Sequence, residues 1–405
     1  MRILHTSDWH LGQHFMGKTR EAEHRAFLAW LLEQVRVQAV DTVLVAGDIF
    51  DTGAPPSYAR ELYNQFVVEL RQTGAELVIL GGNHDSVAML GESKTLLAQL
   101  GTRVIPGVGI DLHEQLLVLN RRDGSPGAVL CAIPFIRPRD VLQSQAGQSA
   151  QAKQTSLQQA IQEHYRSLYE LAEARREAHG GGLPIIATGH LTTVGASASE
   201  SVREIYVGAL EAFPTNAFPP AAYIALGHIH KPQKVGGLEH IRYCGSPIPL
   251  SFDEARQQKE VLLVELTAAG LAAVTALPVP RFQPLIALRG SLDELRQQIA
   301  EAAALGSAAQ PVWLEVQVGG DDYLSDLQPR IAAFCEGLPV EVLRIRRERG
   351  TAQAGLQRQA QETLDELSAE EVFDQRLAQE TLEAQQQQRL RGLYRQVLGE
   401  LEGEA

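Results

Sequence analysis

Five short apolar runs in the sequence each lead into residues of metal-binding type. These residues, in chain order, are Asp8, His10, Asp48, Asn83, His84, His190, His228 and His230. The runs, such as the one at residues 42–46, are rich in β-branched residues, as is typical of buried strands. Because open α/β sheets bind ligands beyond the carboxyl ends of their strands, we expect these side chains to meet at one edge.

The mixture of carboxylate, amide and imidazole groups indicates a particular chemistry. Asp48 stands among many imidazoles, which suggests a carboxylate that bridges two metal ions. Two ions about 3.5–4 Å apart can hold the attacking and leaving oxygens of a phosphoryl displacement. Mixed oxygen and nitrogen ligands favour Mn, Fe or Zn over Mg. Each fragment alone is more often a loop or a cap, but five at predicted strand ends argue against coincidence.

The elements that must position these residues alternate between strand and helix. Helical spacing predicts helices near residues 19–37, 57–70 and 157–178, with strands between them, so an α/β layered core is expected. A proline-rich stretch at 277–284 looks like a linker. We therefore expect a core domain over 1–277, a small α/β domain over 283–347 and a helical tail over 352–405.

Composition limits the kind of protein. At 405 residues, 44% hydrophobic and with a net charge of −13, the chain is globular and has no overall basic coat, although a local basic channel stays open. The first residues lack a secretory pattern and no run is long enough to cross a membrane. Three distant cysteines suggest reduced thiols, so a cytoplasmic address is expected.

Two apolar stripes leave alternatives open. The helix near 57–70 carries Leu62, Tyr63, Phe66, Val67 and Leu70, which predicts either one broad buried face or a homodimer contact. The tail carries a stripe that is either an intramolecular core face or a docking face for a partner. Its residues are Leu390, Leu393, Tyr394, Val397, Leu398 and Leu401.

Residues 12–19 match the phosphate-binding pattern Gly-x-x-x-x-Gly-Lys-Thr. Such a loop should follow its strand directly, but residues 8–10 intervene, and nucleotide binding would leave the histidines without a function. We therefore disfavour this interpretation and expect Lys18 and Arg20 to face solvent or a DNA phosphate.

The motifs Asp-x-His, Gly-Asp-x-x-Asp, Gly-Asn-His-Asp, Gly-His and Gly-His-x-His occur in this order, and together they resemble the calcineurin-like metallophosphoesterases. Residues 1–12, 188–196 and 243–252 are similar to DNA nucleases of that family. The resemblance implies the layered core, a small DNA-binding α/β capping domain and the helical tail. It also implies two metal sites. The first comprises Asp8, His10, Asp48 and His230, and the second comprises Asp48, Asn83, His190 and His228.

The same resemblance implies two catalytic residues outside the metal sites. His84 would orient the phosphate and pass a proton to the departing 3′ oxygen. Asp51 matches an acid that steadies this histidine, although many nuclease relatives carry His at that position. The alternative for Asp51 is a carboxylate that caps the helix after Pro55.

As a whole, the resemblance implies a manganese-dependent nuclease of DNA repair, recombination and replication. It would act as a 3′–5′ exonuclease on double-stranded ends and as an endonuclease on single strands and hairpins. An ATPase subunit, held by the tail in a heterotetramer-like assembly, would drive it. Two alternatives are a phosphomonoesterase or protein phosphatase of the same fold, and an inert scaffold, which would not need a complete ligand set.

Overall fold

The structure is a computed structural model that describes residues 1–109, 111–142, 150–206, 210, 212–319, 327–347, 389–390 and 393–394, without the side chains of 150–154. The chain divides into two compact units. One unit comprises Met1–Ala287, Ala302–Glu315 and Leu338–Arg344, and the other comprises Leu288–Glu301, Val316–Gly337 and Ile345–Ala405.

The described residues form 17 strands and eight α-helices. The strands are β1 Arg2–Thr6, β2 His14–Phe15, β3 Lys18–Thr19, β4 Thr42–Ala46, β5 Glu76–Leu80, β6 Thr102–Ile105, β7 Leu116–Asn120, β8 Pro126–Cys131, β9 Ile185–His190, β10 Tyr223–Gly227, β11 Gln233–Val235, β12 Leu238–Tyr243, β13 Glu260–Thr267, β14 Gly270–Pro278, β15 Leu285–Gly290, β16 Val312–Val318 and β17 Val340–Arg347. The α-helices are α1 Glu21–Val37, α2 Ser57–Arg71, α3 Val87–Gly91, α4 Lys94–Gln99, α5 Pro138–Val141, α6 Ala150–Ala178, α7 Leu292–Ala303 and α8 Leu327–Cys335.

Two six-stranded sheets form the centre of the first unit. One has the order β14-β13-β1-β4-β5-β6 and the other the order β11-β12-β10-β9-β8-β7. In the first sheet β1, β4, β5 and β6 run parallel, and in the second β8, β9, β10 and β12 run parallel. The expected α/β layered core is confirmed, and its parallel strands bring their carboxyl ends to a common edge of each sheet.

Buried apolar residues join the sheets to each other and to the helices. Ile3 and Leu44 of the first sheet share one cluster with Ala128 and Ile186 of the second. The helices α1 and α2 pack on the outer face of the first sheet, and α6 packs on the outer face of the second. This helix–sheet–sheet–helix arrangement leaves the strand ends as the place where polar groups from both sheets can meet.

After residue 284 the described chain alternates between strand and helix, as β15, α7, β16, α8 and β17, which are the element types expected over 283–347. The three strands form a sheet in the order β15-β16-β17. The tail lies outside the described residues except at four positions. Of the predicted tail stripe, Leu390 and Leu393 are 40% and 51% exposed and Tyr394 is half-buried, whereas Val397, Leu398 and Leu401 are outside the described residues.

The apolar residues of α2 form one broad buried face. Leu62, Tyr63, Phe66, Val67 and Leu70 are all at most 6% exposed within the core of the first sheet. The alternative in which this stripe itself forms a homodimer contact is therefore wrong. In the described part of the chain, helices both long and apolar enough to cross a membrane do not occur.

The Gly-x-x-x-x-Gly-Lys-Thr stretch is a hairpin rather than a phosphate loop. Its strands β2 and β3 pair antiparallel, and the turn residues Met16 and Gly17 both have positive φ, as a two-residue type I′ hairpin turn requires. The expectation that Arg20 faces solvent is wrong, because it is buried and bonded to the Glu23 carboxylate at 2.6 Å. Lys18 forms an ion pair with Glu341.

Candidate metal centre

The predicted ligands lie where the parallel strands of both sheets end. Asp8 and His10 follow β1, Asp48 follows β4 and Asn83 follows β5. From the second sheet, His190 ends β9, and His228 and His230 follow β10. Apart from Asn83, which is half-buried, these side chains are at most 3% exposed.

Side-chain atoms of metal-binding type converge in groups that share members. Ligand atoms within 4.8 Å of one another form the sets Asp8, His10, His230; Asp48, His190, His228; and His10, Asp48, His84. Asn83 joins the second set, since its Oδ1 lies 2.9 Å from Nε2 of His190 and 3.1 Å from Nδ1 of His228. The structure therefore brings all seven predicted ligands together, with Asp48 between the two sets.

The backbone around the cluster adopts conformations that side chains usually avoid. Asp8, His10, Asp48 and His228 all have positive φ, between 46° and 93°. Such strain gathers at functional sites, where the surrounding structure holds it in place. Gly82 lies so close to Asp48 that an added Cβ would stand 2.1 Å from its Oδ1, so a residue without a side chain is needed there for the close approach of the two loops.

The environment of His190 fits a bound cation. Its Nδ1 lies 2.9 Å from the carbonyl oxygen of Ala46, which can only accept, so Nδ1 carries a proton. The neutral ring then presents a lone pair at Nε2 towards two further acceptors, Asn83 Oδ1 at 2.9 Å and Asp48 Oδ2 at 3.3 Å. The three atoms Nε2, Oδ1 and Oδ2 then turn lone pairs towards one another. This arrangement is favourable only if Nε2 is protonated or if a cation lies among the three atoms.

The charges of the site support the same conclusion. Although burial opposes the charged form, the Asp48 carboxylate raises the pKa of His190 to about 9. Burial likewise opposes ionisation of Asp48, but His190 and His10 hold the pKa of its carboxyl well below the usual range. Among the described residues, Nε2 of His10 and Nε2 of His228 are buried without a hydrogen-bond partner. The oxygen and nitrogen atoms that could bind metal in this cluster therefore fit divalent metal ions.

Asp51 contacts two histidines by different groups. Its carboxylate lies 3.1 Å from Nδ1 of His10, and its carbonyl oxygen lies 2.7 Å from Nδ1 of His84. The expected partnership with His84 therefore runs through the main chain, while the side chain orients His10. The helix-capping alternative is wrong, because α2 has Pro56 at its cap position and no side-chain cap bond.

Asp85 is a residue of the site whose role the sequence did not reveal. Its buried carboxylate accepts hydrogen bonds from the backbone N–H groups of Ile49, Phe50 and Gly82, at 2.9–3.1 Å. It thereby joins the loop that carries Asp48 to the loop that carries Asn83. Burial, together with the nearby Asp48 charge, raises the pKa of Asp85 to about 6. Its position in the Gly-Asn-His-Asp motif was the available signal.

The fold and the site define a class, and family comparison agrees. Residues 1–232 match the family model described as calcineurin-like phosphoesterase. Residues 281–381 match a second model, described as the Type 5 capsule protein repressor C-terminal domain. The first match spans more than half of the chain, which is therefore a calcineurin-like phosphoesterase, a metal-dependent hydrolase.

Similarity to whole proteins narrows the class further. The chain is 55% identical to SbcD, a component of the SbcCD nuclease, of Escherichia coli K12, covering 100% of this chain and 99% of that protein. It is 36% identical to the protein of the same name from Rhodobacter capsulatus, with coverages of 84% and 86%, and 29% identical to that from Bacillus subtilis, with coverages of 80% and 81%. The chain belongs to the SbcD family of nuclease subunits.

Proposed function

We propose that this chain hydrolyses DNA phosphodiesters with two divalent ions, for which manganese suits the mixed ligands. It would act as a 3′–5′ exonuclease on double-stranded ends, ATP-dependent with a subunit of SbcC type, and as an endonuclease on single strands and hairpins. The observation that carries the proposal is the convergence of six further ligand side chains around Asp48. Cytoplasmic action in DNA repair, recombination and replication is part of the proposal.

Each proposed site combines residues of both sheets. One ion would be held by Asp8, His10, Asp48 and His230, and the other by Asp48, Asn83, His190 and His228. When bound, such a pair supplies positive charge that stabilises the attacking and leaving oxygens of a phosphoryl displacement. The protein fixes the metal ligands in advance, since the strained loops and the hydrogen bonds that Nδ1–H of His10 and of His190 donates already orient their rings.

His84 is suited to handle the proton of the leaving group. It is half-buried beside Asp48, and its backbone N–H donates to Asp48 Oδ1 at 2.9 Å. Its Nδ1–H is held by the carbonyl oxygen of Asp51, so Nε2 is the nitrogen free to meet substrate. In the imidazolium form, His84 would give the Nε2 proton to the departing 3′ oxygen and return to the neutral tautomer that Asp51 holds.

A nuclease assay with an internal comparison tests this function. The full chain, with SbcC, ATP and Mn2+, should release mononucleotides from labelled duplex DNA, and EDTA or Asp48→Asn should abolish the release. Hydrolysis of a phosphomonoester without any DNA product would favour the phosphatase alternative. Loss of both activities in a protein that still folds would favour the scaffold.

The tail is proposed to bind the SbcC-type subunit. Leu390 and Leu393 are exposed apolar residues, and the amphipathic helix that the sequence predicts for the tail would bury them in a partner's groove. Deletion of residues 351–405 should leave cleavage of short single strands intact and abolish co-purification with SbcC. Retained co-purification and a retained ATP response would contradict this role.

A homodimer is proposed through a groove beside α2 rather than through its buried stripe. This groove of about 930 Å³ is lined by residues of α2, α3 and α4, among them Asn64, Val68 and Met89. Val68 is 48% exposed, which leaves an apolar contact for a second copy. Sedimentation should show twice the 44.2 kDa chain mass and, for Val68→Glu, a shift to monomer; monomer alone in both proteins would contradict the dimer.

A further inference from the structure

Glu254 is a buried carboxylate that the proposed reaction does not use. It lies in the short 3-10 helix Phe252–Glu254 with no exposed surface, and its Oε2 is 2.6 Å from Nζ of Lys259, which is itself 3% exposed. The backbone N–H of Leu250 donates to the same oxygen at 3.0 Å. Buried ion pairs are weak evidence for stability, since apolar residues often serve as well. A specific role near the pair is therefore worth examining.

The other carboxylate oxygen leads to a proposed metal ligand. Ser199 and Ser201 each donate a hydroxyl proton to Glu254 Oε1, at 2.6 Å and 2.5 Å. Ser201 Oγ also lies 2.6 Å from Nδ1 of His230. Because Ser201 has one proton and gives it to Glu254, its oxygen accepts from His230, and Nδ1 must carry the proton. This bond leaves the lone pair of His230 on Nε2.

The ion pair also holds the main chain of the same histidine. Lys259 Nζ donates to the carbonyl oxygen of His230 at 2.8 Å and to Ser246 Oγ at 3.0 Å. Both ends of the Glu254–Lys259 pair therefore converge on His230, one on its ring and the other on its backbone. His10 and His190 have their own acceptors for Nδ1, a carboxylate and a carbonyl oxygen. Ser201 and Glu254 supply the corresponding acceptor for His230.

We propose that Glu254, acting through Ser201, is a positioning residue that fixes the tautomer and orientation of His230 for the ion shared by Asp8, His10 and Asp48. The inference rests on the proposed function, since it requires that His230 bind metal. Acceptors behind a metal-binding histidine raise its basicity and hold its ring, and their loss commonly weakens metal affinity about 10–100-fold. The ion held by Asn83, His190 and His228 should be unaffected.

A matched pair of serine variants tests the hydrogen-bonded path from Glu254 through Ser201 to His230, called the relay below. Both hydroxyls donate to the same oxygen of Glu254 and their oxygens lie 3.1 Å apart, but of the two serines Ser201 is the one hydrogen-bonded to His230 in the described structure. In the full-length protein, Mn2+ titration by calorimetry and electron paramagnetic resonance should show two ions for wild type and for Ser199→Ala. For Ser201→Ala, one of the two should bind about tenfold or more weakly. Ser201→Thr, which keeps the hydroxyl, should restore affinity.

A second variant tests Glu254 itself. Glu254→Gln should weaken the same ion at least as much as Ser201→Ala, and a lower unfolding temperature should accompany it because Lys259 loses its counter-charge. Wild-type affinity for both ions in Ser201→Ala and Glu254→Gln would overturn the relay alone. Equal weakening in Ser199→Ala and Ser201→Ala would also overturn it, since the effect would then be loop packing. A wild-type protein that does not bind two metal ions would overturn the proposed function as well.

Discussion

At the scale of single residues, Asp48 and His84 differ in what they contact. Asp48 lies between the two ligand sets, whereas Nδ1 of His84 is already occupied by the Asp51 carbonyl oxygen. Asp48→Asn should therefore weaken both ions. His84→Gln should keep both ions and lower the cleavage rate about 10²–10⁴-fold, the usual contribution of a general acid.

Elemental analysis of both purified variants, beside a DNA cleavage assay, checks this division of roles. If His84→Gln loses metal as fully as Asp48→Asn, then His84 is a ligand. That outcome is physically accessible, because His84 also lies within 4.8 Å of His10 and Asp48.

Proton release is a second expectation at this scale. Despite burial, Asp48 raises the pKa of His190 to about 9, so the metal-free ring is protonated at pH 7. A metal ion must displace that proton, and metal affinity should rise with pH until pH exceeds this pKa. Calorimetric titration with Mn2+ at pH 7, in buffers of different ionisation enthalpy, should reveal release of about one proton or more. Heats that do not depend on the buffer would contradict this expectation.

At the scale of elements, the loop after β5 must approach Asp48 without a side chain at residue 82. A Cβ there would lie 2.1 Å from Asp48 Oδ1 and 2.3 Å from Asp48 N. Gly82→Ala should therefore displace the loop, at the usual over-packing cost of about 1–3 kcal/mol, and weaken both ions. Gly182→Ala is the control, since an added Cβ meets no described atom within 4 Å there. Equal metal affinity in the two variants would show that the loop has room to adjust.

The strand ends were predictable from sequence because each buried run and its polar terminus are local patterns. The acceptors that orient His190 and His230 were not, because they come from distant parts of the chain. Nδ1 of His190 is held by Ala46, 144 positions away, and Glu254 carries no motif. Strand β14 was also not predicted from the sequence. This edge strand is rich in alanine, which has low β propensity, and most of its residues are half-exposed.

At the scale of the whole molecule, the two sheets contribute complementary halves of the site. The sequence predicted a layered α/β core but not that two six-stranded sheets would pack face to face. That pairing depends on contacts such as Ile3 with the cluster containing Ile186, which no local periodicity reveals. The ligands that follow β1, β4 and β5 can therefore complete the two metal sites only if the second sheet brings His190, His228 and His230 opposite them.

The most direct measurement is anomalous diffraction from crystals of the full-length protein grown with Mn2+. Two peaks about 3.5–4 Å apart, one on each side of the Asp48 carboxylate, are predicted. His10 and His230 should contact one peak, and His190 and His228 the other. A single peak, or two peaks that do not share Asp48, would contradict the two-ion centre.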